Sequence, residues 1–185
     1  MIDRFSEDID LTYDIRKLLP GWVEKEVAPL LQAALDQNPA GKGGSIDPQG
    51  DKLYLRYPSL TDGVDYVSPA VLLEFGGRAT GEPNQTMPVQ CDIADHLPSG
   101  RVTFPTVPVV VMDIARTFWE KATAAHVYCL QGNFRGGERY ARHWFDLAAI
   151  ANSEYFGRIQ ADRSVANAVA KHKGWFFREK CPAEM

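Results

Sequence analysis

Hydrophobic and polar residues alternate near the start of the chain. Ile9, Leu11, Tyr13 and Ile15 share one parity, and Asp8 and Asp10 share the other. A period of two predicts a half-buried β-strand. Pro20-Gly21 then opens a helix expected over residues 22–37, with a kink at Pro29, where proline removes a backbone N–H and crowds the preceding turn. The Gly/Pro-rich stretch 38–50 reads as a loop. Residues 52–57 alternate again, Leu53, Leu55 and Tyr57 against Lys52, Tyr54 and Arg56, and predict a strand; the more uniformly apolar 69–75 predicts a more buried one.

Residues 76–105 read as loop-rich, with a short helix around 89–96, and 107–112 as a short strand. Asp113 is a good helix cap, and a helix is expected from it to about residue 130. On a helical wheel Ile114, Phe118, Ala122, Ala125 and Cys129 form the buried stripe, Lys121 sits at its margin and Glu120 points away. A second helix is expected over 138–151 after Gly136-Gly137, with Tyr140, Trp144, Leu147 and Ala151 inward. A third covers about 158–171. Strands first and helices later predict an α+β fold: a core over 1–112 and a helical part over 113–185, packed as one unit with it.

A chain of 185 residues suffices for one domain with a real core. No apolar run approaches the roughly 20 residues that span a bilayer, and no signal peptide is recognisable. Cys91, Cys129 and Cys181 are widely spaced and form no CxxC pair; His96, His126, His143 and His172 are equally scattered. A reducing compartment, the cytoplasm, is therefore expected, with neither a disulfide framework nor a zinc site. The net charge of −4 divides unevenly: residues 135–185 carry nine Lys/Arg against six Asp/Glu, leaving −7 for the rest. An acidic part for metal and a basic part for phosphate would suit a nucleotide enzyme.

The candidate chemistry starts with Asp8 and Asp10. On a strand their side chains leave one face roughly 7 Å apart along the chain, where like charges repel unless a cation sits between them. A DxD on a strand is a common platform for divalent metal in phosphoryl and nucleotidyl transfer. Two other readings stay open: a solvated acidic face, or a helix start capped by Ser6. Glu74, in Val71-Leu72-Leu73-Glu74-Phe75, is a costly carboxylate inside an apolar strand unless paired or metal-bound; alternatively it emerges at a strand end. If the two strands are neighbours, Asp8, Asp10 and Glu74 make a three-carboxylate site. Lys121 either snorkels from the core margin or aims its ammonium at a triphosphate. Arg142 and Asp146, four apart on one helix, are either a surface ion pair or ligand-directed residues.

Gly41-Lys42-Gly43-Gly44-Ser45 is too short for a P-loop, and neither a GxSxG elbow nor a dinucleotide fingerprint is found. Trp144, Phe145, Trp175, Phe176 and Phe177 are expected in the core or at helix contacts rather than as base-stacking platforms.

Taken together, Arg4-Phe5-Ser6-Glu7-Asp8-Ile9-Asp10-Leu11, Val71-Leu72-Leu73-Glu74-Phe75, Arg116-Thr117-Phe118-Trp119-Glu120-Lys121-Ala122 and Arg142-His143-Trp144-Phe145-Asp146-Leu147 resemble the AbiEii-type nucleotidyltransferase toxins of abortive-infection (type IV) toxin–antitoxin pairs. The resemblance implies a polymerase β-like nucleotidyltransferase fold. It implies Asp8 and Asp10 as Mg²⁺ ligands, with Glu74 in the position of the third carboxylate. Lys121 would contact the NTP phosphates, Arg142 belongs to the matching motif, and Asp146 would be a further catalytic acid. The implied reaction moves a nucleoside monophosphate from an NTP to an acceptor, the 3′ end of tRNA or a protein hydroxyl. A transcriptional-repressor antitoxin is the implied partner.

One departure stands out. The family carries a Gly-Gly/Ser phosphate-cradling loop before its DxD strand, whereas only Met1-Ile2-Asp3 precedes Arg4 here. Such loops bind phosphates through backbone N–H groups, so the sequence as given is expected to lack full activity and to self-associate through uncovered sheet surface. The alternatives are a catalytically dead interaction protein binding an antitoxin or RNA, and a sugar-nucleotide glycosyltransferase, for which no βαβ run is present.

Overall fold

The opening alternation folds as strand β1 (Asp8–Thr12), and the apolar stretch around Glu74 as β4 (Ala70–Gly76), its parallel neighbour. The computed structural model describes residues 8–13, 21–38, 42–59, 69–77, 80–97, 100, 102–130 and 137–176, with backbone alone for 137–139 and 176. Arg4 to Glu7, Ile15, Gly41, Gly136, Phe177 and Cys181 lie outside the described residues. Contacts divide the chain into two units, one within residues 3–80 and the other within 81–185.

In the first unit a four-stranded sheet has the order β1-β4-β3-β2, with β2 over Ser45–Gln49 and β3 over Lys52–Arg56. Only the β1–β4 pairing is parallel, so the sheet is mixed. Alternation decides its two faces. Leu11, Leu53, Leu73 and Phe75 point to one side, where they pack with Val23, Trp22, Ala28 and Leu31 from the helix that follows β1. The other side carries Asp8, Asp10, Lys52, Tyr54 and Glu74. Leu11 and Tyr13 join the core as expected; Ile9 does not, remaining half exposed at the end of an edge strand. The helix starts as a π-helical turn (Val23–Val27) and continues as α1 (Ala28–Gln37). Ala28 N–H reaches back to the Val23 carbonyl, and Pro29 falls in the first turn of α1. The expected distortion at Pro29 is thus taken up by a widened turn, where its missing N–H disrupts least.

The stretch 38–50 is not all loop. Ser45–Gln49 pairs antiparallel with β3 through the two-residue connection Gly50-Asp51, and Gly50 adopts φ +68°. A two-residue hairpin loop with glycine first requires that left-handed backbone. Pro48 is tolerated because β2 is an edge strand. The Gln32 side-chain oxygen accepts from the Ile46 N–H at 2.8 Å, tying α1 to this edge.

In the second unit β5 (Asn84–Val89) and β6 (Val107–Met112) form a separate antiparallel ribbon. The sequence reading of 76–105 as loop is corrected accordingly, and the short helix around 89–96 shrinks to a 3₁₀ turn over Asp92–Asp95. Pro88 hid the strand, since proline cannot donate to a ladder. Here Pro88 faces Pro108, a pairing that suits a position where neither residue donates across the ribbon. Helices α2 (Ile114–Leu130) and α3 (Gly137–Ala151) follow. Asp113 caps α2 as expected, accepting from Ala115 N–H at 2.7 Å. The expected third helix is two: α4 (Phe156–Ala161) and α5 (Ser164–Phe176). Asp162 breaks it by taking the Ser164 N–H with its side chain at 2.8 Å, the local competition that makes aspartate a poor helix interior. A hydrogen bond to the Ser164 side chain, together with this backbone one, holds the Asp162 carboxyl below its ordinary range. Ala115, Ile150 and Ile159 centre the core of this unit.

Candidate functional site

Parallel pairing sets Asp10 opposite Glu74, and antiparallel pairing sets Lys52 opposite Glu74 on its other side. One row across three strands therefore reads Asp10, Glu74, Lys52, with Asp8 two residues along on the same face. Carboxylate oxygens of Asp8, Asp10 and Glu74 all lie within 4.8 Å of one another. Asp10 is exposed, while Asp8 and Glu74 are partly buried. Glu74 lies within its strand, two residues before the end, not in the turn beyond. Two oxygens bound to one Mg²⁺ stand at most about 4.2 Å apart, so closing this cluster on an ion takes only a small side-chain rotation. Three hard oxygen donors are the set a hard divalent cation prefers. The Lys52 ammonium meets the Glu74 carboxylate at 3.2 Å. That carboxylate raises the Lys52 pKa, chiefly through the hydrogen bond. Beside this row Arg56 pairs with Asp47 at 2.8 Å and lowers its pKa.

In the second unit Asp146 is 1 % exposed and takes the Lys121 ammonium at 2.9 Å. The helix-wheel reading of α3 is corrected here. Its buried line runs through Asp146 and Ile150, whereas Trp144 and Phe145 are about half exposed. Of the four positions expected inward, Tyr140, Leu147 and Ala151 are partly buried and Trp144 is not. Wheels weigh hydrophobicity alone, and the buried ion pair of Asp146 shifts the inward line toward itself. Asp146 reaches across to Lys121 on α2, so of the two readings of Arg142 and Asp146 the solvated surface pair does not describe this buried carboxylate; Arg142 is itself partly buried. Trp175 is also exposed, so three of the aromatics expected in the core stand at the surface.

Glu120 does not point away. It is a partly buried junction that binds Arg116 at 2.7 Å on its own helix and Lys173 at 2.6 Å on α5. Arg116, 2 % exposed, also donates to the Glu82 carbonyl at 2.9 Å. Cys129, expected in the stripe, is exposed; Ala115, Ala125 and Val127 are the buried apolar positions. The i,i+4 spacing of Arg116 and Glu120 was the available signal for this junction, but only a partner on α5 makes it an interior feature. Burial above all pushes the His172 imidazole below its ordinary value, with Arg116 and Lys173 acting the same way and Glu120 opposing.

No match is found among curated proteins or solved structures. A protein-family model does match, over residues 1–184: the nucleotidyl transferase AbiEii toxin of type IV toxin–antitoxin systems. The mixed sheet carrying acidic residues on the face opposite its packed helix, followed by helices, is consistent with that nucleotidyltransferase architecture. With a match spanning nearly all of its length, the chain belongs to the AbiEii nucleotidyltransferase toxin family.

Proposed function

We propose that the chain transfers a nucleoside monophosphate from an NTP to a hydroxyl acceptor in a Mg²⁺-dependent reaction, as the toxin of a type IV pair whose antitoxin is a transcriptional repressor. The carboxylate cluster of Asp8, Asp10 and Glu74 carries this reading, because family membership and donor chemistry point the same way. These three residues hold the metal. Lys121 and Arg142 meet the triphosphate. Asp146 is the further acid; its burial against Lys121 supports an action through that ammonium, which it fixes in place. Bound metal would neutralise charge on the transferring phosphoryl group and on the departing pyrophosphate.

The acceptor hydroxyl oxygen bonds to the α-phosphorus, the α–β bridging P–O bond breaks and pyrophosphate leaves. The hydroxyl proton passes to a carboxylate or to water. The acceptor is the 3′ end of tRNA or a protein hydroxyl.

Incubating the protein with Mg²⁺, each labelled NTP and total tRNA tests this. Label should enter RNA or protein with the unaltered chain and fall to background with Asp8→Ala or Asp10→Asn. Incorporation that survives Asp8→Ala would remove the proposed site.

A further inference from the structure

Lys52 belongs to none of the motifs singled out in the sequence, yet its ammonium completes the row formed by Asp10 and Glu74 across β1, β4 and β3. Three carboxylates with oxygens within 4.8 Å repel one another, and this cation contacts one of them directly. The side chains of Lys52 and Glu74 are 38 % and 39 % exposed, so water screens the pair and holds it loosely. A lysine suits such a role: one compact charge on a flexible stem can withdraw, unlike a forked arginine that binds a carboxylate through two parallel bonds.

Resting on the metal reading above, we infer that Lys52 is a built-in counter-ion of the carboxylate cluster, a residue that holds one oxygen of Glu74 while no divalent ion is bound and gives way when one enters. Divalent binding then works against a resident positive charge. Lys52 lowers the affinity for metal while easing repulsion in the metal-free protein.

Calorimetric titration of the full chain with Mg²⁺ alone tests this, repeated with Mn²⁺ followed by electron paramagnetic resonance. Lys52→Met should tighten binding several-fold at low ionic strength, with the gain shrinking as salt is added, and Lys52→Arg, whose forked guanidinium releases Glu74 less readily, should bind more weakly than the unaltered protein. Thermal melts should show Mg²⁺ raising the midpoint further in Lys52→Met than in the unaltered chain. Equal or weaker binding by Lys52→Met, with the unaltered chain still binding, overturns the counter-ion role and leaves the metal site standing. No divalent binding by the unaltered chain overturns the metal reading and this inference with it.

Discussion

At the scale of single residues, the consequential feature is charge held in places that hydrophobic patterning assigns otherwise. Asp146 is almost fully buried and faces Lys121. Breaking a fully buried pair costs about 3–5 kcal/mol. Lys121 retains 22 % side-chain exposure and can redirect its stem toward water, so Asp146→Ala is expected to cost less, about 2–3 kcal/mol by urea unfolding. His172 gives a pH test. Its imidazole is pushed below the ordinary 6.5, so the folded protein binds fewer protons there than the unfolded chain. This contribution to stability is complete above about pH 6.5 and is lost as the pH falls from there through the lowered folded-state value. Urea midpoints measured between pH 7.5 and 5.5 should decline, and His172→Gln should flatten that decline.

At the scale of elements, two attachments matter. Glu120 joins α2 to α5 through Lys173 while satisfying Arg116 beneath it. Glu120→Gln leaves a guanidinium buried without its counter-charge, at a cost of about 3 kcal/mol. Amide exchange should accelerate first in α5, over Ser164–Phe176. Leu53 plays the corresponding part for the sheet: it is fully buried, and its strand lies between β2 and β4. Leu53→Ala is expected to cost about 2–5 kcal/mol, depending on how far α1 and β4 relax into the space, measured by chemical denaturation. The elements most legible in the sequence were those whose pattern agreed with their burial: β1, β3, β4 and α2 with its Asp113 cap. The strands missed, β2 and β5, contain Pro48 and Pro88, and proline is a strong local argument against a strand. Each is an edge or ribbon strand where that argument loses force. Gly50-Asp51 was a usable hairpin signal that the surrounding glycines obscured.

At the scale of the whole molecule, family membership sets the expected chemistry, and removal of metal is the direct test of it. Chelation should abolish nucleotidyl transfer, and added Mg²⁺ should restore it. If the carboxylates hold the ion only in the folded chain, Mg²⁺ at a hundredfold excess over its dissociation constant should add about 2.7 kcal/mol of stability. The same addition should leave Asp10→Asn unchanged in a thermal melt. No helix among the described residues is long and apolar enough to cross a membrane.

The residues that carry the family's motifs, and the period-two placement of Asp8 and Asp10 on one strand face, were determined by sequence alone, because strand geometry is local and repeats every second residue. Which strands are neighbours was not. Only pairing across the sheet set Asp10 beside Glu74 and Lys52 beyond it, since register joins residues more than sixty positions apart. The same holds for α2 and α3. Local periodicity placed Glu120 and Asp146 outward, and the tertiary structure turned them inward because a lysine from another helix stood ready to compensate each charge.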